Sequence, residues 1–136
     1  GCLKLKDVSL NGNVEEIEKR SFYKCISLDN LIVTAKTIED EAFYWCTSLE
    51  NLSFNDNVKS IKTRAFSRCT SLKSIVFNNN IESLGKYSFA GNTALSSVEF
   101  GENIKSISHT AFDDTNSEFI SNNSYCEEWI KNWKKK

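Results

Sequence analysis

The chain has 136 residues, with 17 basic against 18 acidic side chains, 40% hydrophobic residues, no proline and no methionine; that suffices for one domain of ordinary globular composition. A mean hydropathy of −0.41 and the lack of any apolar run near ~18 residues exclude a membrane-spanning helix, and no basic segment followed by an apolar one opens the sequence shown. Four of the cations are lysines within residues 131–136, so residues 1–130 carry 13 cations against 18 anions, the wrong sign for a nucleic-acid surface.

In chain order, the first ten residues set out Cys2, Leu5, Val8 and Leu10, and the same spacing returns after each member of a phenylalanine series. Phe22, Phe43, Phe66, Phe89 and Phe112 follow one another at intervals of 21, 23, 23 and 23 residues. Three residues after them stand Cys25, Cys46, Cys69, Asn92 and Thr115; six after, Leu28, Leu49, Leu72 and Leu95; nine after, Leu31, Leu52, Ile75 and Val98; eleven after, Val33, Phe54, Phe77 and Phe100. Five before them stand Ile17, Ile38, Ile61, Leu84 and Ile107, and immediately before them the small residues Ser21, Ala42, Ala65, Ser88 and Ala111. The single 21-residue interval is a two-residue deletion between Val33 and Ile38.

Within each unit the period is two at Leu52-Ser53-Phe54 and Ile75-Val76-Phe77, which predicts short strands with one face inward. The stretch Arg64–Cys69 is too brief for a long helix and predicts one turn of 3₁₀ or α-helix. A 23-residue coil cannot bury its apolar side alone, whereas stacked coils bury every column with strands about 4.8 Å apart; the expected fold is a solenoid. Asn55, Asn78 and Gly101, with Asn13, Asn57, Asn80 and Asn103 two residues beyond that point, mark a turn. Asparagine tolerates left-handed backbone and bonds its neighbours, so turn chemistry accounts for much of the asparagine excess; a functional asparagine ladder is the other reading.

After Phe112 the columns fail, although Phe119 and Ile120 suit a last strand. Ser124-x-x-Glu127 then reads as a capping box. Tyr125, Trp129 and Trp133 recur at i, i+4 and i+8, with Cys126 and Ile130 beside them, and lysines close the helix. An aromatic ligand platform or a basic membrane-facing helix would use these residues. A cap over the last coil is the favoured reading, because an open solenoid end needs one. At the other end the chain starts inside a unit, which reads as a piece of a longer array with Gly1 as a cloning remnant and an exposed apolar first coil.

Catalytic and metal chemistry find little support. The repeat cysteines recur at 23, 21 and 23 residues and the only histidine is His109, not the close pairs that zinc sites use. Stacking would bring cysteine Cα atoms about 4.8 Å apart, but parallel Cβ vectors argue against disulfides; Cys25, Cys46 and Cys69 are expected to be small buried hydrophobes and Cys126 a free thiol. There is no nucleophile motif, H-E-x-x-H or phosphate loop, His109 falls in an exposed column, and Glu15-Glu16 and Asp113-Asp114 fall in turns. Asn51-Leu52-Ser53 and Asn122-Asn123-Ser124 match the short glycosylation pattern, which an asparagine- and serine-rich chain meets by chance. No catalytic residue, cofactor or metal is expected.

The pattern Ile61-x-x-x-Ala65-Phe66-x-x-Cys69-x-x-Leu72-x-x-Ile75-x-Phe77 closely resembles the BspA-type, or Treponema-type, leucine-rich repeat, and the resemblance covers about residues 2–120. One departure is that the family usually has proline where this chain has Asn55, Asn78 and Gly101. The resemblance implies an α/β leucine-rich-repeat solenoid, a right-handed superhelix of short parallel strands and 3₁₀ or helical turns. About five repeats would fill residues 2–120, and a capping helix with a basic tail residues 121–136. It also implies a non-enzymatic binding module of a cell-surface or secreted protein, acting in adhesion, with a protein or glycoconjugate ligand such as a host extracellular matrix protein; nucleic acid and membrane insertion are not expected. In such solenoids the outward strand residues form the concave face, here Asp7, Ser9, Asn30, Ile32, Asn51, Ser53, Ser74, Val76, Ser97 and Glu99. The face is small and polar, with no aromatic or arginine hot spot expected. The alternatives are a spacer or stalk without a ligand of its own, and an intracellular scaffold.

Overall fold

The computed structural model describes residues 2–10, 14–121 and 123–135; the expectations placed on Gly1, Asn13 and Asn122 lie outside them. The described strands, in chain order, are β1 (Asp7–Ser9), β2 (Glu16–Ile17), β3 (Asn30–Val33), β4 (Thr37–Ile38), β5 (Asn51–Phe54), β6 (Ser60–Ile61), β7 (Ser74–Val76), β8 (Ser83–Leu84), β9 (Ser97–Glu99), β10 (Ser106–Ile107) and β11 (Glu118–Ile120), followed by helix α1 (Ser124–Lys134). Every pairing is parallel and joins one coil to the next. The even-numbered strands form one five-stranded sheet, and the odd-numbered ones form two three-stranded sheets, β1-β3-β5 and β7-β9-β11. Sequence period and spatial register coincide: Leu31 lies opposite Leu52, Ile38 opposite Ile61, and Ile75 opposite Val98. The strands are two to four residues long because each coil spends only one side of its circuit on each sheet.

The core is two stacked phenylalanine series meeting edge to face. In one, Phe22, Phe43, Phe66, Phe89 and Phe112 lie with ring centroids 5.0 to 5.5 Å apart and planes within 8° of parallel. In the other, Phe54, Phe77, Phe100 and Phe119 stack at 5.6 to 6.0 Å. Phe54 meets Phe66 at 88°, Phe77 meets Phe89 at 75°, and Phe100 meets Phe112 at 76°, the perpendicular arrangement that aromatic quadrupoles favour. Ala35 is buried in the column of Val58, Ile81 and Ile104, so the two-residue deletion shortens the turn without losing a core position. The first coil's Cys2, Val8, Leu10 and Phe22 are only half-buried.

The compact segment around each phenylalanine has the i→i+3 bonds of a 3₁₀ helix, as in Ser21 N to Glu18 O, Tyr23 N to Arg20 O and Cys25 N to Phe22 O. It does not propagate as a helix. Arg20, Lys24, Glu41, Trp45, Arg64, Arg68, Tyr87 and Asp114 all have φ between 56° and 64°, and each left-handed residue ends the turn it sits in. That costs roughly 1–2 kcal/mol per non-glycine residue. The compensation is a third ladder: the amides of residues 20, 22 and 24 donate to the carbonyls of 40, 42 and 44 in the next coil, and those of 64, 66 and 68 to 86, 88 and 90.

The asparagine turns work by hydrogen bonding alone. Asn55 Oδ1 accepts from Asn57 N at 3.0 Å and Asn78 Oδ1 from Asn80 N at 2.8 Å, while Asn80 Nδ2 and Asn103 Nδ2 donate to carbonyls of the preceding coil. The expectation that these asparagines use left-handed backbone is corrected, since among the described residues none is left-handed. At Gly101 the reason for glycine is space, because a Cβ there would lie 2.2 Å from the Asn78 carbonyl oxygen.

Two further expectations need correction. Cys2 and Cys25 form a disulfide, with Cα atoms 4.6 Å apart. That separation is within the bonding range, so the argument from parallel Cβ vectors does not hold at this pair. Cys46 and Cys69 reach back in the same sense, but their thiols donate to Phe22 O at 3.2 Å and Phe43 O at 3.4 Å. The helix is capped by Asn123, not Ser124: Asn123 Oδ1 accepts from Tyr125 N and Cys126 N while Nδ2 donates to Glu102 O and Ile104 O. A serine hydroxyl cannot cap the helix and reach the last coil together, whereas an amide can. Trp129 then packs edge-on against Phe100, Phe112 and Phe119, and Trp133 against Phe119. Tyr125 Oη accepts from Ile107 N at 2.9 Å. The helix is a cap.

Phe66 is fully buried between two stacked rings and one perpendicular ring. Phe66→Ala is expected to destabilise the fold by about 3–5 kcal/mol in chemical denaturation; a loss below about 1 kcal/mol, the surface range, would mean that the ladder is not a core. Burial also raises the Cys46 thiol from 9.0 to about 12, against a lowering backbone hydrogen bond, and raises Cys69 and Cys126. Their thiolates are disfavoured in the fold, so stability is fully present below the unfolded pKa and falls as pH rises from 9.0 towards about 12. A thiol-reactive disulfide reagent at neutral pH should leave Cys46, Cys69 and Cys126 unmodified in the native protein and label all three on unfolding; labelling at the unfolded rate without denaturant would contradict their burial.

Candidate functional site

All ten residues anticipated on the strand face occupy outward positions of β1, β3, β5, β7 and β9, eight of them exposed and Ser97 and Glu99 half-buried. Two more belong with them. Glu118 and Ile120 of β11 pair with Ser97 and Glu99 and extend the face by one strand. The face presents three separated aliphatic side chains, Ile32 at 51%, Val76 at 62% and Ile120 at 53% exposure, among short polar ones. Along its first column the side chains are tied together: Asn30 Nδ2 donates to Asp7 Oδ1 and Asn51 Nδ2 to Asn30 Oδ1, each at 2.7 Å. This short asparagine ladder holds two amide groups in fixed orientation at the surface. Between β5 and β7 the strand pairing lapses among the described residues, and there Asn30, Ile32, Asn51, Ser53 and Ser74 line a shallow depression of about 430 Å³.

The turn side of the coils carries a feature that the sequence reading did not address. The residues two before, one after and two after each core phenylalanine stack in columns on this side, where the long side chains reach the surface while Ser67 and Ala90 are buried. The first column runs Arg20, Glu41, Arg64, Tyr87, Thr110; the second Tyr23, Tyr44, Ser67, Ala90, Asp113; the third Lys24, Trp45, Arg68, Gly91, Asp114. Cations and rings interleave: Lys24 Nζ lies 4.5 Å from the Trp45 ring centre, the Arg68 guanidinium 5.9 Å from it, and the Arg64 guanidinium 4.9 Å from the Tyr87 ring. Arg20 pairs with Glu41 at 3.0 Å, whereas Lys24, Arg64 and Arg68 make no ion pair among the described residues. In the third and fourth of these coils the second and third columns shrink to Ser67, Ala90 and Gly91. The gap is a groove of about 810 Å³, bounded by Tyr44, Arg64, Arg68, Tyr87, Asp113 and Asp114. The sequence reading looked for an aromatic or arginine cluster on the strand face alone and did not consider the turn side. Its signal lay in columns that vary from unit to unit, and a search for recurring residues passes over those.

His109 is exposed. Among the described residues there is no group of three or more potential metal ligands, and no helix is long and apolar enough to cross a membrane.

Residues 33–132 match the model of the BspA-type leucine-rich repeat region. Among solved structures, a leucine-rich repeat protein from T. pallidum is 30% identical with a TM-score of 0.66 over 68% of this chain and 44% of that one. A leucine-rich repeat protein from Bacteroides ovatus is 27% identical, with a TM-score of 0.77 over 89% of this chain and 37% of that one. The pneumococcal vaccine antigen PcpA shares the fold at 18% identity, with a TM-score of 0.72 over 95% and 39% of the two chains. The chain thus spans less than half the length of the solved structures it resembles. No curated protein matches it. The 23-residue register, the stacked phenylalanines and the family match agree: the chain belongs to the BspA-type leucine-rich repeat family.

Proposed function

We propose that the chain is a non-enzymatic binding module of a cell-surface or secreted protein, engaging a protein partner through its strand face in adhesion. The observation that carries this reading is the strand face itself: aliphatic side chains at Ile32, Val76 and Ile120 stand exposed in a register fixed by the coils beneath them. Exposed aliphatics in a polar surround suit a partner that buries them while bonding the polar rim. The depression at Asn30, Ile32, Asn51, Ser53 and Ser74 offers a place for an inserted side chain. Leucine-rich repeats generally serve protein–protein interaction, and one structure sharing the fold is described as a leucine rich cell surface protein from Faecalibacterium prausnitzii. The latter supports an extracellular setting, as does the Cys2–Cys25 disulfide. A spacer role is the competing reading and predicts no ligand at this face.

The test is binding to individually immobilised extracellular matrix proteins (fibronectin, laminin and collagen), comparing the chain with Ile32→Lys/Ser53→Arg. Both positions are exposed, so the thermal midpoint should hold. Binding to at least one matrix protein is expected, weakened about tenfold or more in the double variant, the effect of losing one interface hot spot. Unchanged binding by the double variant would remove the strand face from the proposal, and no binding by the parent chain would favour the spacer.

A further inference from the structure

The groove on the turn side is a second surface, remote from the strand face in each coil, and its chemistry is different. Three features define its ligand. First, its walls are polar and charged, unlike the mostly apolar walls of a site for a drug-like hydrophobic molecule. Second, Arg64 and Arg68 lie on the same coil, four residues apart, both line the groove, and each guanidinium lies near a ring, Arg64 4.9 Å from the Tyr87 ring centre and Arg68 5.9 Å from that of Trp45. Two guanidiniums in one groove offer the N–H forks that grip a carboxylate in two parallel hydrogen bonds. Third, the opposite end of the groove is acidic, at Asp113 and Asp114, with the hydroxyls of Thr70 and Thr93 also in the lining.

A ligand that satisfies one end only with carboxylates and the other only with hydrogen-bond donors has both groups in one short molecule. Sugar acids do: each ring of a uronic-acid oligomer carries hydroxyls beside its carboxylate. An acidic peptide would bring like charge to Asp113 and Asp114 with no hydroxyls to donate to them, and a polyphosphate would meet a single pair of arginines on a chain whose residues 1–130 are net anionic. The coils lining the groove are those of Tyr44, Arg64, Tyr87 and Asp113, spanning about 15 Å at ~4.8 Å per coil, room for a short oligosaccharide. The floor is open because Gly91 interrupts its column: it has φ +74°, and a Cβ there would lie 3.1 Å from Arg68 Cγ, against the side chain the ligand needs. Glycine is the unstrained choice at every left-handed position of these turns, yet among the described residues only Gly91 uses it, and Arg64, Arg68 and Tyr87 keep large side chains in strained backbone beside it.

We propose that this groove binds a carboxylate-bearing oligosaccharide, the carboxylate held by Arg64 and Arg68 and the sugar hydroxyls donating to Asp114. The probe is trigalacturonate, with maltotriose as its neutral counterpart and hexaglutamate as an acidic peptide, each titrated into the chain by calorimetry at low ionic strength. Trigalacturonate should bind, and maltotriose should bind at least about tenfold more weakly, the worth of one charge-assisted contact. Arg64→Gln/Arg68→Gln should lower trigalacturonate affinity by about tenfold or more, with folding intact because both side chains are exposed. Ala90→Tyr restores the residue type found at Tyr23 and Tyr44 of the same column, fills the groove and should abolish binding with both arginines in place. Ile32→Lys/Ser53→Arg should leave it unchanged, which separates this site from the strand face. If Ala90→Tyr does not fold, chemical-shift changes in the parent chain at Arg64, Arg68, Tyr87 and Gly91 serve instead. No trigalacturonate binding, equal affinity for maltotriose, tighter binding of hexaglutamate, or less than a twofold effect of the arginine pair would each overturn the proposal.

Discussion

Everything in this protein depends on one constraint: a residue facing inward must meet its own counterpart from the next coil, about 4.8 Å away. A coil of 21 or 23 residues has too little interior to bury anything alone, so its stability is an interface property. The phenylalanine series shows what the constraint selects. A ring at a given position finds an identical ring at 5.0 to 5.5 Å in each neighbouring coil, and the second series fills the remaining edges at right angles. Backbone follows the same rule. Strand amides, turn amides and asparagine side chains all bond one coil onward or one coil back, so three ladders share the load that a single wide sheet carries elsewhere.

The same constraint explains what could be read in advance. Columns that repeat were legible because repetition in sequence is contact in space; the core phenylalanines, the strand registers and the outward positions from Asp7 to Glu99 followed directly. The strand at Phe119 and the aromatic cap face at Trp129 and Trp133 were legible for a related reason, since an array that stops must cover its last coil. What was not legible depends on differences between coils. Cysteines of one column end in different partners, Cys25 bonding Cys2 while Cys46 and Cys69 donate to carbonyls, and the repeat that they share does not distinguish them. The helix start moved from Ser124 to Asn123 because that side chain also has partners on the previous coil. The turn-side groove arises where small residues follow large ones down a column, and no single unit contains it.

The two surfaces therefore have different origins. Outward strand positions are short or aliphatic apart from Glu99 and Glu118, and their order is imposed by the ladder beneath, so the strand face is smooth and repetitive. The turn side has strained backbone that throws long side chains outward, and its sequence is free to vary because little of it packs. A repeat scaffold thus separates a regular surface from an idiosyncratic one around the same core. Selective recognition of a small polar ligand suits the second, and contact with an extended partner suits the first.

The lapse in pairing between β5 and β7 has a mechanical meaning. On the opposite sheet β4, β6 and β8 continue without a break, and the turn amides of residues 41, 43 and 45 still reach the carbonyls of 63, 65 and 67. Across the third side the link is made by side chains instead: Phe54 stacks on Phe77, Ser71 Oγ donates to Thr47 O and Asn78 Nδ2 donates to Asn55 O. The strand face is thus joined there by side chains where the rest of the stack uses a backbone ladder. The depression lined by Asn51, Ser53 and Ser74 straddles the same line, so the strand face offers its unpaired backbone groups at the place where its surface is also indented.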